Sequence, residues 1–267
     1  MLGLFRPRLP VEEEELEFLL ATFKWLSATF GPVAQARLVV PTAEFFPCIA
    51  KKGWAPAVEL FEDVRRAADM ADWLCELESG EGDRPFDAGN DHLIRHEGGA
   101  APCGTFRVAE RKDGTTFAVI TYNPDMERDQ TGLVATFAHE LAHYLLATSP
   151  DPGPGGWELH ELHTDIAAVY LGFGIFLANS ARTFETFQGT TRAGWTSRLQ
   201  GYLSEGALVT SIVIFQRLAE REPSAASPFL EDYLRTDLRR AERVLAKRFP
   251  DMAAAVEAID LAPFGCG

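Results

Sequence analysis

Positive charge is scarce in this chain: 25 lysines and arginines face 39 aspartates and glutamates, a net charge of -14. That balance opposes a phosphate-backbone partner, so no nucleic-acid role is expected; acidity of this size mostly serves solubility. Long apolar runs are missing as well. The most apolar segment, Ile166 to Ala178, is too short to cross a bilayer, and no membrane partner is expected. The first residues hold a short apolar stretch with Arg6 and Arg8, then four consecutive glutamates, which does not read as a secretory signal. Cysteine is sparse and unpaired in spacing: Cys48, Cys75, Cys103 and Cys266 read as free thiols of a cytoplasmic protein. No internal repeat and no low-complexity tract is present.

What is present suffices for a core. Of 267 residues, 46% are hydrophobic, enough for one large domain. The expected organisation is a single domain over 1–267. It has a mostly helical portion over 1–100, a hairpin with two chemistry-bearing helices over 101–180, and a helical portion over 181–267.

The chemistry concentrates in the pentapeptide HELAH, His139 to His143. On a helix, residues four apart lie on one face, so the two imidazoles can reach one metal ion. Glu140, beside the first, is placed to work on a metal-bound water. The surrounding segment, Leu133 to Leu146, is rich in Leu and Ala and free of Pro and Gly, which predicts a helix. Asp129 or Thr131 offers its N-cap, and the Pro- and Gly-rich stretch Ser149–Gly156 ends it. The predicted helix is apolar almost all round and therefore buried. His139, Glu140 and His143 are its strongly polar residues, and burying each unsatisfied would cost roughly 1–3 kcal/mol. A metal removes that cost for the two histidines. The rival reading is a pair of satisfied core histidines with no metal.

Eighteen residues after His143 comes ELHTD, Glu161 to Asp165, at the start of a second helical segment, Trp157 to Ser180. Glu161 and Asp165 are four apart and share a face. Glu161 suits a third metal ligand. Asp165, one turn on, suits an acceptor for the outer N–H of a ligand histidine. Glu158, His160, His163 and Asp165 itself remain alternatives for the third ligand, although His160 and His163 are expected more as solvated or capping residues. Gly172 and Gly174 are expected to weaken this helix and let it pack closely on the HELAH helix.

HExxH followed by ExxxD on a second helix resembles the gluzincin zinc metallopeptidases. The resemblance covers roughly Thr115 to Asn179. It implies Zn²⁺ held by His139, His143 and Glu161, Glu140 as general base, Asp165 behind a ligand histidine, and a peptide or protein substrate. The fold expected is α+β and mainly helical, with a small antiparallel sheet packed on the metal-binding helix pair, as in a zincin core. Thr105–Glu110 and Thr115–Tyr122, joined through Asp113-Gly114, read as a hairpin. The second strand is expected at the sheet edge, where an extended peptide would add by backbone hydrogen bonds.

The remainder is less specific. Helices are expected over Val11–Phe30, Ala55–Leu77, Tyr202–Ala219 and Phe229–Arg248, and a strand over Ala34–Val40. Ser79–Ala101 reads as loop, with His92 and His96 as surface residues, and Phe184–Gly201 as an irregular cover. Tyr202 or Tyr170 is a candidate hydrogen-bond donor to the transition state, against the plainer reading of a buried tyrosine.

Overall fold

A computed structural model describes residues 8–80, 103–188 and 203–265. It is mainly helical with one small sheet, an α+β architecture as expected. The described residues form two compact units. One takes those of 1–40, 149–178 and 193–267; the other takes those of 41–148 and 179–192.

The first unit is helical. Its helix α1 spans Glu13–Phe30 and begins with Glu13, Glu14 and Glu15, whose charges complement the helix dipole. Its apolar face buries Leu16, Leu19, Phe23 and Leu26. The expected strand over Ala34–Val40 does not form. Val33–Gln35 is a 3-10 turn, and the chain beyond it joins no sheet but donates from the Val39 amide to the Gly172 carbonyl.

That contact explains a second departure. The expected continuous helix over the later part of Trp157–Ser180 is broken in two, α5 at His160–Tyr170 and α6 at Gly174–Gln188. Gly172 has φ +102°, and a Cβ there would stand 2.1 Å from the Arg37 carbonyl oxygen. Only glycine tolerates both. A Cβ on Gly174 would lie 2.6 Å from Ile212 Cγ1. The nearest neighbours of the two glycines are thus the Arg37–Val39 segment and Ile212. Ile212 lies on α7, Glu205–Leu218, which Ser204 caps by accepting from the Ala207 amide. Two further helices close this unit, α8 at Leu234–Arg248 and α9 at Met252–Glu257. The helix expected from Phe229 thus starts at Leu234, after a 3-10 stretch at Pro223–Phe229.

The second unit holds the sheet. Short α2, Pro47–Lys52, precedes α3, Ala57–Ala67. The helix expected to run to Leu77 stops ten residues early. Asp69 turns to φ +60°, and buried Arg65 donates to the carbonyls of Ala71 and Trp73, both at 2.7 Å. The chain freed by that stop becomes β1, Cys75–Ser79. The hairpin forms as expected: β2 is Gly104–Glu110 and β3 is Thr116–Tyr122, with Gly114 at φ +85° in the turn.

The strand order is β1-β3-β2, with β1 parallel and β2 antiparallel to β3. The sheet is therefore mixed rather than antiparallel. β3 is its centre and not its edge, which explains why consecutive Ala118, Val119 and Ile120 are all buried. The sheet packs on α4, Gln130–Leu146, through Tyr122 against Phe137, and α3 adds Phe61 against the same ring. Among the described residues, no helix is long and apolar enough to cross a membrane.

Candidate metal centre

α4 forms where its composition places it. Asp129 caps it by accepting from the Gly132 amide at 2.9 Å, and Thr131 lies inside its first turn. Almost every α4 residue from Gly132 to Leu146 is buried, including His139 and Glu140; His143 is half-buried. The His139 and His143 rings stand edge-on, with centroids 4.7 Å apart at 83°, the same-face geometry that four-residue spacing dictates. Glu140 points toward the start of β2, where its carboxylate oxygen lies 3.0 Å from the place a Cβ on Gly104 would occupy.

Glu161 lies in the first turn of α5 and is half-buried. Glu161 belongs to the other compact unit, so the ligand pair that one unit supplies by itself is His139 with His143. A tetrahedral site with bonds of about 2.1 Å would place its donors roughly 3.4 Å apart. Two imidazoles on one helix face are donors that suit several divalent metals, zinc among them.

The rivals for the third position fall elsewhere. Glu158 is exposed on a 3-10 turn, and His160 packs its ring on Trp157 at 5.6 Å. His163 is neither solvated nor a cap. It is 1% exposed, lies against the rings of Phe18 and Trp25, and hydrogen-bonds the Pro154 carbonyl through Nε2 at 2.8 Å. Burial holds its pKa down at about 4, against a partial upward pull from that hydrogen bond. Asp165 is buried and accepts from the Leu203 amide at 2.7 Å.

Tyr170 has another engagement: its hydroxyl donates to the Gly31 carbonyl at 2.6 Å, and burial pushes its pKa up to about 12. The plainer reading of a structural tyrosine holds for it. Tyr202, His92, His96, Cys266 and part of the expected cover over Phe184–Gly201 lie outside the described residues. Cys48, Cys75 and Cys103 are free, and all three thiols are pushed up to about 11, chiefly by burial. At Cys103 the negative charge of Glu140 adds to that shift.

Motif reading did not single out Gly104 or Phe106, the β2 residues that face α4. A glycine at the head of an alternating strand was the available signal, since it often marks a close backbone approach. Comparison with known proteins returned no match to any family model, curated protein or solved structure.

Proposed function

We propose that this chain is a zinc-dependent metallohydrolase of gluzincin type that cleaves an amide bond in a peptide or protein. The observation that carries the reading is the buried HExxH helix, with both imidazoles on one face and Glu140 beside the first. His139, His143 and Glu161 would hold the ion. When bound, zinc supplies Lewis acidity that activates water and polarises a carbonyl.

The chain's own residues do the rest. Glu140 takes the proton from the attacking water and passes it to the leaving amine. Burial of Glu140 in α4 keeps bulk water from competing for that transfer. Asp165, which the motif's spacing would put behind a ligand imidazole, accepts from the Leu203 amide of its own unit. The setting proposed is the cytosol, which the free thiols favour.

The test is metal content of the purified chain beside two variants, followed by a peptide-library screen. One zinc per wild-type chain, lost in His139→Ala and kept in Glu140→Gln, with cleavage abolished only by the second change among metal-loaded proteins, is the expected result. Zinc held by a wild type as inert as Glu140→Gln would make this a zinc-binding protein without peptidase activity. Absence of stoichiometric metal after zinc is added would leave HELAH as a core helix segment.

A further inference from the structure

Gly104 and Phe106 stand two apart, hence on one face of β2, and both meet α4. At Gly104 the approach is so close that a Cβ would stand 2.6 Å from Thr136 Cγ2, 3.0 Å from Glu140 Oε1 and 3.1 Å from Glu140 Cγ. The strand backbone therefore occupies ground beside the Glu140 side chain that any larger residue would contest. Two residues on, the Phe106 ring lies nearly parallel to the His143 imidazole, 12° between planes and 6.3 Å between centroids. The same ring leans on Tyr144 at 5.7 Å.

The spacing of the two elements makes this possible. Two strand residues rise about 6.6 Å and the three helix residues from Glu140 to His143 about 4.5 Å, a difference of about 2 Å that side-chain length spans. Pairing of Gly104 with Tyr122 and of Phe106 with Ile120 fixes the strand. A slip of one residue would turn Thr105 and Arg107 toward α4 instead.

We propose that β2 positions the chemistry of α4: Gly104 sets where the Glu140 carboxylate stands, and Phe106 sets the ring plane of His143. Both are positioning residues, and the inference rests on the metal-centre reading above. A packing role alone would lower stability without touching coordination. A positioning role changes how the metal is held while the fold survives.

The experiment uses the full chain, titrated with zinc for affinity and with cobalt(II) for its visible spectrum. Phe106→Leu is expected to weaken zinc binding about tenfold, the low end of the effect of removing a group that orients a ligand, and to shift the cobalt bands. Phe106→Tyr, which keeps the flat ring, is expected to restore both. Gly104→Ala is expected to keep zinc affinity but move the cobalt bands, because the displaced Glu140 carboxylate would change the surroundings of an ion held by the α4 histidines. In a Glu140→Ala background the same glycine change should move nothing. If Gly104→Ala fails to fold, Thr136→Ser is added to open the nearest contact.

The wild type is titrated first. A wild type that binds neither ion overturns the metal-centre reading, and this inference with it. A wild type that binds, beside Phe106→Leu and Gly104→Ala proteins with unchanged affinity and unchanged bands, overturns the positioning inference alone.

Discussion

α4 and α5 bury polar side chains to a similar degree and use them differently. In α5 the buried groups tie down backbone of their own unit: His163 holds the Pro154 carbonyl, Asp165 holds the Leu203 amide, and the Thr164 hydroxyl donates to the His160 carbonyl. In α4, His139 and His143 stand ring against ring, and Glu140 and His143 meet a glycine and an aromatic ring of β2. Burial of a polar group is thus no guide to function by itself. Its partner is. A histidine fastened to a carbonyl is part of the scaffold, whereas two imidazoles side by side on one face are what the proposal takes for a ligand pair.

The sharpest test of that difference exchanges one histidine from each helix. His143→Ala is expected to abolish stoichiometric zinc, a larger loss than the 10–100-fold that follows when only an orienting partner is removed. His163→Gln should keep wild-type zinc content. Equal metal loss in both would erase the distinction between the helices.

Next in size is the break between α5 and α6. Gly172→Val drives a Cβ into the Arg37 carbonyl at a φ that only glycine adopts readily. Strain and clash together should cost about 3 kcal/mol or more, read as a fall in the urea midpoint. An unshifted midpoint would mean that this junction relaxes freely.

His163 also predicts a pH dependence. Its folded pKa of about 4 lies below the ordinary 6.5, so between these values the unfolded chain binds the proton more readily than the folded one. Its stabilising contribution is therefore complete above pH 6.5 and drains away as pH falls toward 4. The loss should amount to about 3 kcal/mol. His163→Gln, which keeps an N–H for the Pro154 carbonyl, should flatten that part of the stability curve; matching slopes in the two proteins would count against the assignment. The smallest effect is expected at the start of α4, where Asp129→Ala removes the cap and should cost about 1 kcal/mol with zinc content unchanged.

How far the sequence could be read depends on how local each cause is. α4 was readable because Asp129, the Leu- and Ala-rich body and the following Pro and Gly all act within the segment itself. The hairpin was readable for the same reason, with its turn set by Asp113 and Gly114. β1 was not, because the stop that frees it depends on Arg65 reaching forward to two carbonyls, which helical periodicity across Ala55–Leu77 conceals. The split between α5 and α6 was half readable. Gly172 is visible in the sequence, but the Arg37 carbonyl that demands it is 135 residues away in the chain. Around Glu161, five acidic or histidine residues fall within eight positions, from Glu158 to Asp165. Local spacing favoured Glu161 and Asp165 but had no way to see that His163 would be enclosed by Phe18, Trp25 and the Pro154 carbonyl.

The three free cysteines, with thiols held near 11, carry a consequence for selectivity among metals and reagents. At pH 7 only about one in ten thousand of each is the thiolate that binds soft ions or attacks electrophiles. Among the described residues these three thiols are therefore poor nucleophiles at neutral pH. Alkylating probes should mark these three sites slowly while the chain stays folded, and quickly once it opens, which makes thiol labelling a clock for unfolding.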